Sequence, residues 1–250
     1  MGFARNALTR DAFLGGRVHA WQPRDGYRAA TDPVLLAAAV EARPGQSVLE
    51  LGCGAGVASL CLSARVPDLT LTGVERQADY ADLAHRNLGD SARIVTADLA
   101  ALPDSLRQQH FDHVIANPPY YRAGAGTPAG DTGREAALRE ETPLTDWVEV
   151  AARRLAPKGW LTMIQAADRL PDMMAAMVPR LGSLMLRPLV PRIGRPAGRV
   201  LLRGRKGGRA PFVLLPPLIL HDGAKHQEDG DDFSQAAQGI LREAAALPWV

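Results

Sequence analysis

The chain has 250 residues, 46% of them hydrophobic, and a formal net charge of +2 at pH 7. That is enough apolar material for a sizeable core, and no global basicity announces a nucleic-acid partner. No apolar run approaches the ~20 residues of a membrane span, and the first residues lack the apolar centre of a secretory signal, so a soluble, cytoplasmic protein is expected, with a monomer favoured.

Read in chain order, the apolar pattern alternates between strand and helix. Residues 47–51 read as a buried strand, and the glycines after it open a helix over 57–66. Residues 69–75 form a second strand, 78–88 a helix, 92–98 a third strand and 112–116 a fourth. Residues 121–142 have no clear core pattern and read as a mobile loop with a short helix near 134–140. A helix over 144–155 is stopped by Pro157 and Gly159, and 160–165 make a fifth strand. This rhythm predicts an α/β fold with a doubly wound, mostly parallel sheet. Beyond it, 184–190, 200–203 and 212–220 are apolar runs without helices between them, which predicts antiparallel strands joined by the turn at 203–209. Ser234 is placed to cap a closing helix that runs to about residue 246.

Two stretches carry chemistry. Glu50-Leu51-Gly52-Cys53-Gly54-Ala55-Gly56 ends the first strand of the series, and Gly52, Gly54 and Gly56 permit a tight turn with close ligand approach to the backbone. Glu75 ends the second strand, where a carboxylate can hold both hydroxyls of a ribose; Asp98 ends the third, where it can accept from the amino group of an adenine ring. An adenosine-bearing cofactor is expected. The acidic Glu50 suits a cationic amino-acid end better than a pyrophosphate, which favours S-adenosylmethionine over a nicotinamide dinucleotide.

The second stretch, Asn117-Pro118-Pro119-Tyr120, follows the fourth strand. An amino group on adenine or in an amide is a poor nucleophile because its lone pair is delocalised. The Asn117 side-chain oxygen and the Pro118 carbonyl can accept both N–H bonds and turn that lone pair towards a methyl donor. Pro119 stiffens the turn, and the Tyr120 ring offers a face for a flat substrate. Cys53 and Cys61 read as small buried hydrophobes, unsuited to a disulfide, and the loose pair His110 and His113 makes no metal site. Gly124–Gly130 mimics a phosphate loop but lacks the Gly-Lys-Ser/Thr ending, and reads as a flexible lid.

Glu50 to Gly56, Glu75, Asp98 and the Asn-Pro-Pro-Tyr quartet resemble the motifs of class I S-adenosylmethionine-dependent methyltransferases acting on planar nitrogens. A narrower resemblance lies in Gln22-Pro23-Arg24-Asp25-Gly26-Tyr27-Arg28-Ala29-Ala30-Thr31-Asp32-Pro33-Val34-Leu35-Leu36, in 134–140 and in Gly198-Arg199-Val200-Leu201-Leu202. These are similar to the bacterial tRNA1(Val) adenine-37 N6-methyltransferases, and together the matches span about residues 10–245. The resemblance implies a Rossmann-like seven-stranded sheet with an antiparallel C-terminal edge hairpin. It also implies an entry segment, residues 1–45, that closes over the cofactor through Thr31 and Asp32, followed by a catalytic domain over 46–250. The acid-rich segment 222–232 looks longer than the family's usual link.

The activity so implied is methyl transfer from S-adenosylmethionine to N6 of an adenine in tRNA. The alternatives are an rRNA amino-group methyltransferase, a release-factor-type glutamine methyltransferase, and an RNA-binding module without activity. Every charged residue in 180–209 is basic. Arg199, Arg203, Arg205, Lys206 and Arg209, with Arg5 and Arg10, are therefore expected to form the RNA surface.

Overall fold

The structure, a computed structural model, describes residues 2–120, 142–223 and 232–250. The expectations of a helix at 134–140 and of a glycine-rich lid lie outside the described residues.

The chain opens with an antiparallel hairpin of its own, β1 (Leu8–Phe13) and β2 (Val18–Pro23), followed by α1 (Thr31–Ala38). Asp32 and Pro33 in its first turn suit the positive helix start and its unpaired N–H groups. A main sheet follows, in which β3 (Ser47–Leu51), β4 (Thr70–Glu75), β5 (Ala92–Thr96) and β6 (Phe111–Ala116) run parallel. They alternate with α2 (Val57–Arg65), α3 (Ala78–Leu88) and the single turn α4 (Asp104–Arg107). Helix α5 (Leu144–Arg154) leads into β7 (Leu155–Ala166), parallel to β6. After α6 (Leu170–Met177) come β8 (Gly182–Val190) and β9 (Arg199–Arg205), and β9 lies antiparallel between β7 and β8. Two short pieces, β10 (Val213–Leu214) and β11 (Leu218–Ile219), pair with β8, and α7 (Gln235–Glu243) closes the fold with Ser234 accepting from the Ala237 N–H as its cap.

The sheet order is β10-β8-β9-β7-β6-β3-β4-β5, with β11 also on β8, which makes nine strands rather than the expected seven. The two additional strands come from 212–220. Pro216 and Pro217 lack N–H donors, so they break that run into two pieces, and both are parallel to β8 instead of antiparallel. The antiparallel hairpin is β8–β9, linked by 191–198. The 203–209 turn leads instead across the sheet to β10, on the far side of β8 from β9.

Both sheet faces are covered, as a strand such as β3, buried from Val48 to Leu51, requires. One core joins α1, α2 and α7 to the first face, and the other packs α5 and α6 on the second. The chain end plugs the first core: Trp249 Nε1 donates to the Ala39 carbonyl at 2.7 Å, and the Leu247 N–H donates to that of Ala38 at 2.8 Å. The entry hairpin is tied to α3, since Asn87 accepts from the Trp21 N–H and donates to the Trp21 and Ala55 carbonyls. Among the described residues no helix is long and apolar enough to cross a membrane.

Candidate active site

The carboxyl ends of β3, β4, β5 and β6 line up along one edge of the sheet, and a cleft open to solvent lies there. Glu50, Gly52, Gly54, Glu75, Asp98, Asn117 and Pro119 all border it.

Gly54 has φ +53° and open space where a Cβ would stand, so the cleft reaches its backbone directly. Gly52, with φ +65°, serves packing instead, since a Cβ there would sit 2.5 Å from the Trp147 ring, which packs onto the turn from α5 and also borders the cleft. Glu50 is buried behind the glycines. Its Oε2 accepts from the Ser59 N–H at 3.1 Å and from the Ser59 hydroxyl at 2.5 Å, which leaves Oε1 for a ligand. Burial, with the nearby Glu75 charge adding to it, pushes the Glu50 carboxyl up to about 7.

Glu75 accepts from the Gly54 N–H at 2.9 Å through Oε2 and from the Gln77 N–H at 2.8 Å through Oε1. The Arg76 N–H also bonds this carboxylate, and three backbone donors against four lone-pair sites leave capacity for a ligand hydroxyl. Asp98 accepts from the Ala100 N–H at 2.8 Å, which fixes its side chain at the cleft wall. Burial holds the Cys53 thiol well above its ordinary range and that of Cys61 at about 12, so both behave as the expected small hydrophobes.

At the end of β6, the Tyr120 hydroxyl lies 2.5 Å from Asp32 Oδ2 and 2.8 Å from the Asn117 side chain. The hydroxyl faces two acceptors, the Asp32 carboxylate and Asn117 Oδ1, and Oδ1 keeps a further lone pair for a donor in the cleft that Asn117 borders. The backbone of the turn is held from behind. Gln165, with no exposed surface, donates from Nε2 to the carbonyls of Pro118 and Pro119 at 3.3 and 3.1 Å, and the buried Arg169 donates to that of Tyr120 at 3.3 Å.

Several expectations need correction. Tyr120 is not a free stacking platform, because the Arg199 guanidinium lies 4.3 Å from its ring centroid. Asp32 does not border the cleft; it accepts from Tyr120 and from Arg199 Nε at 3.1 Å, and Thr31 is exposed outside the cleft. Arg203 is 6% exposed, donating to Glu41 Oε2 at 2.6 Å between the rings of Trp160 and Trp249, so it clamps the chain end and does not face RNA. Because β9 is antiparallel, Arg199 pairs with Ala166 at the cleft edge while Arg205 pairs with Trp160 at the opposite edge. Arg205, Lys206 and Arg209 are thereby carried away from the site; Arg205 donates to the Lys158 carbonyl and Lys206 to that of Leu155.

Sequence reasoning missed Gln165, Arg169 and Trp147. A glutamine inside an apolar strand was the one available signal, since a buried amide needs partners. It also missed Gln22, buried at the cleft, which accepts from the Ala29 N–H and donates to Asp11. Among the described residues no three His, Cys, Asp or Glu side chains could hold a metal ion.

Comparison with known proteins agrees with this geometry. Residues 29–181 match the methyltransferase small domain model. A protein named tRNA1(Val) (adenine(37)-N6)-methyltransferase in Porphyromonas gingivalis is 33% identical over 66% of this chain and 69% of its own. A protein of the same name in Dickeya chrysanthemi is 29% identical over 95% of both chains. Among solved structures, one described as a predicted O-methyltransferase from Agrobacterium tumefaciens superposes with a TM-score of 0.71 at 26% identity, over 87% of this chain and 98% of that one. By the match over 29–181 and the identity to these relatives, this chain belongs to the methyltransferase small domain family.

Proposed function

We propose that this chain transfers a methyl group from S-adenosylmethionine to the exocyclic N6 of an adenine in tRNA, at position 37 in the anticodon loop of tRNA1(Val). The cleft fits that cofactor. Open space over Gly54 admits its backbone-hugging part, Glu75 takes the ribose hydroxyls and Asp98 the adenine amino group. Glu50 Oε1 takes the ammonium end. When bound, S-adenosylmethionine supplies a methyl already activated by its sulfonium, so the protein's share is orientation.

The observation that carries the choice of acceptor is the pair of oxygens at the end of β6. Asn117 Oδ1, held by the Tyr120 hydroxyl, borders the cleft, and we assign the carbonyl of the adjoining Pro118, buried and held by Gln165, as the second acceptor, so that each takes one hydrogen of a planar amino group. An oxygen acceptor has no second hydrogen to give, so this pairing is matched to nitrogen. An anticodon-loop base is already partly unstacked and reaches such a site with little unpairing cost. The narrower substrate rests on the names of the Porphyromonas and Dickeya relatives.

The test is incubation with labelled S-adenosylmethionine and either total tRNA or total protein, followed by mass spectrometry of the digested products. N6-methyladenosine in tRNA1(Val) is expected. Label in a protein glutamine, or in guanine, refutes the assignment.

A further inference from the structure

An RNA that presents one splayed adenine also presents its flanking phosphates and bases, so a surface beyond the base pocket is needed. The structure divides the acidless stretch 180–209 in a way that points to it. Arg187 donates to the carbonyls of Pro216 and Pro248, Arg180 pairs with Glu149, and Arg203 is buried. Arg205 and Lys206 are bound to carbonyls at the far edge. The β8–β9 link, residues 191–198, stands instead at the cleft edge, immediately before the Arg199 that covers Tyr120.

The link is braced at its base and open at its tip. Arg192 donates to the Asp222 carbonyl and to the Asp232 carboxylate, and Asp232 also binds His221 Nδ1 at 2.6 Å. Pro191 and Pro196 limit its backbone freedom. Between them Ile193 is 64% exposed, Gly194 has φ +75° with nothing within 4 Å of a Cβ, and Arg195 is exposed. An exposed aliphatic side chain two residues from an exposed guanidinium offers an apolar face and a positive charge on one short link. It suits a strand of nucleotides, in which apolar base faces alternate with phosphates.

We infer that the β8–β9 link receives the single-stranded RNA flanking the target adenine, with Arg195 on a phosphate and Ile193 against a neighbouring base. This rests on the tRNA reading above. The RNA path then crosses the sheet edge at β9, and the brace from Asp232 to Arg192 keeps the link rigid before RNA arrives, which lowers the ordering cost of binding.

The test uses the full chain and an anticodon stem-loop transcript, comparing the wild type with R195A, with I193A and with the far-edge triple variant R205A/K206A/R209A. R195A should raise the RNA Kd about tenfold at low salt. It should also flatten the dependence of log K on log salt by about 0.7, the share of one phosphate on a single strand. I193A should raise Kd without changing that slope. Both should bind S-adenosylmethionine like the wild type, and the triple variant should keep wild-type RNA binding. If the wild type methylates the RNA while R195A and I193A match it in Kd and slope, or if the triple variant carries the loss, the link is overturned and the tRNA reading stands. A wild type that labels no RNA overturns the tRNA reading and the link with it.

Discussion

Glu50 makes cofactor binding pH-dependent in a direction that can be worked out in advance. Its carboxyl sits at about 7 in the folded chain because it is buried, against an ordinary value of 4.5. A raised folded value means that the stability the neutral form contributes is complete below about pH 4.5 and is lost as pH rises through about 7. The gap corresponds to roughly 3 kcal/mol at ~1.36 kcal/mol per unit, which the fold gives up to hold the charge at neutral pH. A cation placed at Oε1 favours the ionised form, so S-adenosylmethionine should bind more tightly as pH rises from about 5.5 to 7, by up to about tenfold per unit, with release of up to about one proton. Above ~pH 7.7 an α-amino group itself loses charge and the gain should stop. Calorimetric titration in two buffers of different ionisation enthalpy measures both affinity and proton release. E50Q should bind weakly and without that pH dependence. A wild-type affinity that is flat from pH 5.5 to 7.5, with no proton released, refutes the role of Glu50.

Three other outcomes follow from the site. E75A should weaken S-adenosylmethionine binding by about 2–4 kcal/mol, the loss of two charge-assisted hydrogen bonds, while N117A leaves it near native; equal affinities by calorimetry would remove Glu75 from the ribose. N117A should lower single-turnover methylation ~100- to 1,000-fold with saturating RNA, and Y120F, which loses the hydroxyl bonded to both Asn117 and Asp32, should lower it less. R203M gives up two ring contacts of ~0.5–2 kcal/mol each and an ion pair with the half-exposed Glu41 worth ~1 kcal/mol or less, so it should lower stability by about 2–3 kcal/mol in urea titration. Its RNA affinity should stay within about twofold, and the reverse pattern would contradict the buried placement.

The order of the strands from 47 to 166, with helices α2, α3 and α5 among them, was legible because apolar period and glycine or proline punctuation are local properties, whereas the single turn α4 left no such mark. Glu75, Asp98 and Asn117 were legible for a related reason: in a parallel sheet the last residue of each strand reaches the same edge whatever the loops do, so position in the chain already implies position in the site. The direction of the tail strands and the fate of its arginines were decided only by tertiary structure. Antiparallel insertion of β9 sends Arg199 to one edge of the sheet and Arg205 to the other, and a run of basic residues carries no record of that reversal. The same holds for the side chains that serve the site from behind. Gln165, Arg169 and Asp32 act through contacts with residues distant in sequence, and Arg203 is withdrawn from solvent by Trp249 at the end of the chain. Sequence composition determined that the tail is basic; burial and strand direction determined that Arg203 is enclosed and Lys206 lies at the far edge while Ile193 and Arg195 stay exposed in the β8–β9 link, because a charge stays in solvent only where packing leaves it no nearer partner.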